Sequence, residues 1–319
     1  MPIQITKSGT LLSCSKEELE KMQKEFDKNH GLLLPKFIGS SLLRKIQEQI
    51  NNYKFIKREN YGQEGYMMNN TIRGLLYFLL NDKKLFKILE QLTGYGPIGH
   101  IEGRIYRFTP GYGHHDRWHD DITGHRLFTI SINLSTEVYE GGVLQIRDRN
   151  SKKVLTKLPN TGFGDAIIFR IDKKIEHKLT NVRGTASKTA FAGWFSSKPT
   201  FEVKLKMLPL KSKAARIHSR QETSNDRKKN LTGKIKINRG IIYKTLGDNT
   251  VFFNLNTGVS CGINSTGNKF WQLIAKYKKL SEVFDVLKKE FDVHPQTLQH
   301  DILSIVNQLH SNGIVEVVH

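Results

Sequence analysis

The segment between residues 100 and 198 constrains the fold of this chain more than any other. Short runs of β-branched and aromatic residues alternate there with Gly, Pro, Asn and Asp, as in "IGHIEGRIYRFTP", "LFTISINLS" and "GDAIIFR". Further runs of this kind are "GGVLQIRD", "VLTKLP", "EHKLTNV" and "TAFAGWFSS", and no helix-length pattern interrupts them. Many short strands separated by turn residues predict a sandwich or a barrel.

The segments before this stretch favour helices. Residues 16–29 carry apolar side chains at helical spacing, and Ser15 with Glu18 predicts a capping box at the start of this helix. "GLLLPKFI" indicates a short extended piece, "SSLLRKIQEQINNY" a second amphipathic helix, and "TIRGLLYFLL" with "DKKLFKILEQLTG" a third. The first domain, residues 1–205, is therefore predicted to be mainly β with N-terminal helices.

The next segment, residues 206–232, is predicted to be a basic flexible linker because it is rich in Ser, Asn, Lys and Arg. The chain has a net charge of +20, and residues 204–239 contribute +10 of it. Such a stretch attracts acidic peptides, nucleic acid or anionic membranes, although it also suits a connector that only keeps the chain soluble. Residues 240–319 hold seven basic and seven acidic residues and are neutral.

The last segment, residues 233–319, has a different pattern. Three strand-like runs, "KIKINRGIIYKTL", "NTVFFNLN" and "GVSCGIN", precede three helical runs. "NTG" at 256–258 indicates a tight turn, Ser265 is predicted to cap the first helix, and Gly313 to end the last. These features predict a small α+β module that is winged-helix-like.

Several classes of protein are disfavoured by what the sequence lacks. It has no run of about 18 apolar residues, and its first residues lack the apolar core and cleavage site of a secretory signal. Its two cysteines, Cys14 and Cys261, lie far apart and outside any CxxC pattern, which excludes a zinc ribbon and disfavours a disulfide framework. We therefore expect a cytoplasmic protein without a membrane partner.

Residues 117–126, "RWHDDITGHR", hold the candidate metal site. His119 and Asp121 are two positions apart at the end of a strand and can face the same side. His177, on a later strand, can supply a third ligand. Two histidines and one carboxylate suit iron(II) and leave three coordination positions open. A second HxD pattern, His114 with Asp116, overlaps the first, and we favour His119 because it lies next to the strand that begins near Arg126.

Residues 32–198 resemble the iron(II)/2-oxoglutarate-dependent oxygenases of the prolyl-4-hydroxylase type. The resemblance rests on "PGYGHHDRWHDD", "RLFTISINLS", "YEGGVLQI", "LPNTGFGDAIIF" and "EHKLTNVRGTASKTAFAGWF". It implies a double-stranded β-helix, or jelly roll, in which His119, Asp121 and His177 bind iron(II). It further implies 2-oxoglutarate as cosubstrate, O2 as oxidant, and hydroxylation of an unactivated C–H bond.

The same resemblance implies the cosubstrate contacts. It places Lys188, six residues before Trp194, against the far carboxylate of 2-oxoglutarate, and a charge-assisted hydrogen bond suits that role. Tyr106 and Trp194 are predicted as further contacts. The family often has Tyr just before the Pro-Gly turn, where this chain has Thr109, so Tyr106 and Thr109 are alternatives. Arg183 is the alternative to Lys188, although its place before a turn favours a solvated role.

Residues 240–318 resemble the PqqD-like domain, also called the RiPP recognition element. The strand–turn–strand pattern, Asn264, a helix with Trp271, and a last helix before "GIV" occur in the same order. The resemblance implies capture of the leader of a precursor peptide by strand addition. DNA binding, the usual rival for a winged helix, is disfavoured because residues 294–319 contain no Lys or Arg for phosphate and base contacts.

Together these features predict a hydroxylase that modifies a ribosomally made precursor peptide. Two alternatives remain open: a non-catalytic adaptor that binds leaders, and an oxygenase that acts on a free amino acid or another small molecule.

Overall fold

The computed structural model describes residues 2–52, 54–60, 63–67, 70–111, 114, 116–159, 162–198, 231, 233–246, 249–257 and 260–318. The chain divides into two compact units, Met1–Glu202 and Val203–His319. Apart from Leu231, the predicted linker lies outside the described residues. In the described ranges, none of the helices has the length and apolar character needed to cross a membrane.

The first half of unit one contains all of its helices. In chain order the elements are β1 (Ile3–Thr6), β2 (Gly9–Leu12), α1 (Lys16–Asn29), β3 (Gly31–Leu34), α2 (Ser40–Asn51), β4 (Ile56–Asn60), β5 (Gln63–Met67), α3 (Asn70–Leu80) and α4 (Lys83–Thr93). The predicted capping box of α1 is confirmed, because Ser15 accepts from the Glu18 amide while the Glu18 side chain accepts from the Ser15 amide.

The prediction of one continuous third helix is wrong, because α3 and α4 are separate helices. The Asp82 carboxylate caps α4 by accepting a hydrogen bond from the Lys84 amide at 2.8 Å. It also accepts one from the buried hydroxyl of Thr10 at 3.1 Å, which holds the side chain in its capping position. The backbone of Asp82 is extended, so the helical path is interrupted there.

The second half of unit one consists of strands. They are β6 (His100–Phe108), β7 (Arg126–Asn133), β8 (Glu140–Gly141), β9 (Leu144–Asp148), β10 (Val154–Leu158), β11 (Ala166–Arg170), β12 (Ile175–Leu179), β13 (Val182–Arg183) and β14 (Lys188–Ser196). Five strands form an antiparallel sheet in the order β3-β11-β7-β14-β6, and three form a second sheet in the order β10-β9-β12. Strand β13 pairs with β8.

The two sheets pack face to face. Leu144 and Ile146 of the three-stranded sheet share a core cluster with Ile167 and Phe169 of the five-stranded sheet. Such opposed antiparallel sheets are the jelly roll expected from the sequence, so the mainly β fold of the first domain is confirmed. Side chains at alternate positions of each strand point between the sheets, and this interior holds the candidate site.

Unit two is the predicted small α+β module, with more strands than expected. Its elements are β15 (Lys234–Ile237), β16 (Ile241–Leu246), β17 (Asn249–Asn254), β18 (Ser260–Ile263), α5 (Ser265–Tyr277), α6 (Leu280–Glu290), α7 (Pro295–Ser311) and β19 (Val315–Val318). Strands β16, β17 and β18 form one sheet, and β15 pairs with β19. The helices close over a core that contains Phe252, Trp271 and Ile302.

Two details of this module correct the sequence predictions. The run "KIKINRGIIYKTL" is two strands rather than one, because the chain turns at Arg239 and Gly240. The first helix is capped by Asn264, whose side chain accepts from the Gly267 amide at 3.1 Å, and not by Ser265. The predicted stop at Gly313 is confirmed, since α7 ends at Ser311 and Gly313 has a φ of 67°.

Candidate metal centre

Two histidines from distant parts of the chain are joined through their backbones. The His119 amide donates to the His177 carbonyl at 3.1 Å, and the His177 amide donates to the His119 carbonyl at 2.8 Å. This isolated antiparallel bridge connects the segment before β7 to strand β12. Residues exchanging both hydrogen bonds lie directly opposite each other, so their side chains point to the same face. The two imidazole centroids are 4.3 Å apart.

The carboxylate of Asp121 completes a group of three ligand-type side chains. Its oxygens lie 3.3 Å from Nε2 of His177 and 3.9 Å from Nε2 of His119. One donor atom from each residue can be chosen so that all lie within 4.8 Å of one another. Among the described residues, no other group of His, Cys, Asp or Glu meets this criterion. The donor set fits iron(II), which accepts imidazole and carboxylate ligands on one face.

The electrostatics of these side chains also suit metal binding. Nδ1 of His119 lies 2.7 Å from the carbonyl oxygen of Arg117, so a proton on Nδ1 leaves Nε2 free to bind a metal. Burial alone would raise the pKa of Asp121. The hydrogen bond and charge of His177, together with the charge of His119, outweigh burial and hold that pKa well below its usual range. The carboxylate is therefore ionised, as a ligand must be.

The overlapping HxD pattern takes a different position. His114 is buried, and its Nδ1 accepts a hydrogen bond from the Thr109 amide at 2.8 Å. Asp116 accepts from the Leu179 amide at 2.8 Å, and its other oxygen lies 3.5 Å from Nδ1 of His119. His114 is thus bonded to the backbone of Thr109, and the Asp116 carboxylate lies next to Nδ1 of His119, a candidate ligand.

Lys188 lies at the start of β14 with a completely buried side chain. Its ammonium group donates to the Gly142 carbonyl at 2.7 Å and lies 5.6 Å from the ring centroid of Tyr139. Gly142 has a φ of 58°, and a Cβ there would come within 2.8 Å of Cδ of Lys188. Burial lowers the pKa of Lys188 to about 7, and the charge of Asp116 opposes that shift. The Lys188 side chain is therefore a buried cation held by a backbone carbonyl.

The other predicted cosubstrate residues, Tyr106, Trp194 and Thr109, lie in or next to the paired strands of the five-stranded sheet. Tyr106 lies opposite Ala190 in the β6–β14 pairing and is buried, which raises the pKa of its phenol. Trp194 is half-buried, and the guanidinium of Arg126 lies 4.0 Å from its ring centroid. Thr109 contacts the hydroxyl of Ser187 at 3.2 Å.

Arg183 is exposed, in contrast to the buried Lys188. Tyr139 and Gly142 were not predicted as site residues, although both lie within the "YEGGVLQI" motif. The sequence feature that could have indicated them is the pair of consecutive glycines, Gly141 and Gly142, that follows Tyr139 after one residue.

Two family models match separate parts of the chain. Residues 103–196 match the "2OG-Fe(II) oxygenase superfamily", and residues 249–315 match "Coenzyme PQQ synthesis protein D (PqqD)". The first match includes the three ligand-type residues and Lys188, and the second spans strands β17 and β18 and the three helices of unit two. No curated protein sequence matches the chain.

Solved structures similar to the chain have low identity to it. A 2OG-Fe(II) oxygenase family oxidoreductase from Burkholderia pseudomallei is 14% identical, covers 58% of this chain and 94% of its own, and has a TM-score of 0.46. A prolyl hydroxylase from Trichoplax adhaerens, in complex with a hypoxia inducible factor peptide fragment, is 17% identical with coverages of 58% and 94% and a TM-score of 0.40.

TbiB1 in complex with the TbiA(beta) leader peptide is 25% identical, covers 25% of this chain and 94% of its own, and has a TM-score of 0.25. These TM-scores are below 0.5, so the comparison with known families rests on the two family models alone. The chain therefore contains one segment that matches the 2OG-Fe(II) oxygenase superfamily model and a second, separate segment that matches the PqqD model.

Proposed function

We propose that this chain is an iron(II)/2-oxoglutarate-dependent hydroxylase that modifies a ribosomally made precursor peptide. The observation that carries the proposal is the convergence of His119, Asp121 and His177, whose donor atoms lie within 4.8 Å of one another. Iron(II) held by this set would supply the activation of O2 for oxidation of a C–H bond, with 2-oxoglutarate as the co-reductant. The chain itself binds, orients and shields the reactants.

The protein residues divide this work between them. Asp121 and the two histidines would hold the metal and would leave its remaining coordination positions to the reactants. Lys188 offers a buried positive charge that would pair with the far carboxylate of 2-oxoglutarate. The apolar cluster that contains Tyr106, Phe108 and Tyr139 would exclude water from the cosubstrate.

The PqqD-like unit supports a peptide as the substrate. Strands β16 and β18 are the outer strands of their sheet, and within the described residues each pairs only with β17. An extended leader peptide could therefore add to an open edge through backbone hydrogen bonds, while apolar side chains enter pockets between the sheet and the helices. The tether between the two units would raise the local concentration of the core peptide at the metal.

The decisive experiment uses the full chain under anaerobic conditions. The wild type should bind one Fe(II), whereas His119→Ala and His177→Ala should each abolish detectable binding because two fixed donors are too few. His114→Ala is the matched control, since this histidine is buried nearby but lies outside the donor set. If His119→Ala bound Fe(II) normally and His114→Ala did not, the assignment of His119 as the ligand would be wrong and His114 would take its place.

Mass spectrometry then tests the substrate. A peptide encoded by a short gene beside this one should gain one oxygen atom in the presence of enzyme, Fe(II), 2-oxoglutarate and O2. Leader binding without any oxidation would favour a non-catalytic adaptor. Oxidation of a free amino acid, with no binding of the leader, would favour the small-molecule oxygenase.

A further inference from the structure

The residues that alternate with the candidate ligands form a second network on the outer face of the three-stranded sheet. His119, Asp121 and His177 point inward, so their sequence neighbours point outward. We call this network the outer clasp. It consists of Trp118, Asp120, Arg147, Arg149, Glu176 and Lys178.

Arg147 is the central member of the outer clasp. It lies on β9 directly opposite Glu176 of β12. Its Nε and Nη2 atoms contact Oε2 of Glu176 at 2.8 and 2.7 Å. The same guanidinium lies 4.1 Å from the ring centroid of Trp118. One side chain therefore holds the residue before His119 and the residue before His177 at the same time.

Two further contacts also attach the segment before β7 to the three-stranded sheet. Lys178, the residue after His177, places its ammonium group 4.9 Å from the ring centroid of Trp118. Arg149 pairs with Asp120, the residue between His119 and Asp121, and lies 3.9 Å from Glu176. The segment before β7 is thus attached to the three-stranded sheet by charged contacts, in addition to the backbone bridge.

We infer that Arg147 is a positioning residue for the metal centre, which it stabilises by fixing both histidine-bearing segments through Trp118 and Glu176. The inference rests on the proposed function. The side chains of Arg147 and Glu176 are only 17% and 16% exposed, so solvent and salt screen this pair less than a fully exposed one. Partners behind metal ligands typically change metal affinity by about 10–100-fold when they are removed.

The test measures Fe(II) affinity anaerobically and the ligand-field spectrum of Co(II) as a probe of coordination geometry. Arg147→Met keeps an apolar stem over Trp118 but removes the charge, and Glu176→Gln removes the opposite charge. Each variant should bind Fe(II) about 10–100-fold more weakly and give an altered Co(II) spectrum. The double variant should lose less than the sum of the two single losses, because both substitutions remove the shared Arg147–Glu176 pair, while Glu176 also contacts Arg149 and Lys152.

Arg170→Met is the matched control. Arg170 also pairs with a carboxylate, Asp27 at 2.6 Å, and lies 5.6 Å from the ring centroid of Phe26, but it touches no neighbour of a candidate ligand. It should change thermal stability by a similar amount and leave Fe(II) affinity and the Co(II) spectrum unchanged.

The outcomes separate the two hypotheses. Wild-type Fe(II) binding together with unchanged affinity and spectrum in Arg147→Met and Glu176→Gln would overturn the role of the clasp and leave the proposed function intact. Additive losses in the double variant would also overturn it. Absence of Fe(II) binding by the wild type would overturn the proposed function itself.

Discussion

At the scale of single residues, the buried lysine has the most direct consequence for cosubstrate binding. Burial lowers the pKa of Lys188 to about 7, while the neighbouring Asp116 carboxylate favours the charged form. Above that pH the free protein holds an increasingly neutral amine. Pairing with a carboxylate favours the ammonium form, so 2-oxoglutarate binding must then take up a proton.

We therefore predict that 2-oxoglutarate affinity decreases as the pH rises above about 7, by at most about tenfold per pH unit. The sign follows because the complex holds one more proton than the free protein. Lys188→Met should bind 2-oxoglutarate about 10–100-fold more weakly, since a hydrogen bond to a charged group contributes about 1.5–3 kcal/mol. It should also lose this pH dependence.

Titration calorimetry with Fe(II)-loaded protein at several pH values measures both effects. Buffers of different ionisation enthalpy would report the proton taken up. Arg183→Met is the control and should bind 2-oxoglutarate as the wild type does, because Arg183 is exposed. Equal pH dependence in wild type and Lys188→Met would remove Lys188 from this role.

At the scale of elements, local signals were readable from the sequence and non-local ones were not. The capping box of α1 needs only Ser15 and Glu18, three positions apart, and was predicted. The separation of α3 from α4 depends on Asp82 and its contact with Thr10, which comes from a distant hairpin. Strand β19 was missed because its pairing partner, β15, lies at the other end of the module.

The candidate site shows the same distinction. The residue types and the two-residue spacing of His119 and Asp121 indicated ligands for one ion. The sequence contains nothing, however, that says which residue lies opposite His177 or that Arg147 contacts Trp118. Those relations arise from sheet register, which the turns and the buried faces of several strands determine together.

The helix interruption gives a testable consequence for stability. Asp82→Ala should destabilise unit one by about 0.5–2 kcal/mol through loss of the helix cap, and by about a further 1–3 kcal/mol because the buried Thr10 hydroxyl loses its acceptor. Ser15→Ala removes an exposed cap and should show only the first effect. Urea unfolding of both variants measures the difference, and equal losses would contradict the contribution of Thr10.

At the scale of the whole molecule, the two units have separate cores and, in the proposed function, separate roles. Residues 204–239 carry a charge of +10, whereas residues 240–319 are neutral. Under the proposed function, unit two would offer shape and sheet edges to a peptide, and the basic stretch would offer acidic leaders a long-range attraction that salt screens.

We predict that cleavage near residue 225 leaves two functional pieces. Residues 1–202 contain all the candidate ligands and Lys188, so this piece should bind Fe(II) and 2-oxoglutarate as the full chain does. It should modify a leader-bearing peptide poorly because the tether is lost. The piece that contains residues 233–319 should bind the leader without metal.

Titration of a labelled leader into each piece, at low and high salt, provides the measurement. Full-length affinity in the first piece and none in the second would contradict leader capture by the PqqD-like unit. A salt effect that is larger in the full chain than in the second piece would identify the part of the basic stretch before residue 225 as a source.

The backbone bridge between His119 and His177 also links metal occupancy to local opening of the chain. Two amide–carbonyl hydrogen bonds join these segments, and bridges of this size open more readily than the strands of the central sheet. An ion held by both imidazoles would have to leave before the bridge separates, so occupancy lowers the population of the open form. The amide hydrogens of these two residues would thus exchange with solvent more slowly as the free metal concentration rises. Their exchange rate would report whether the site is filled.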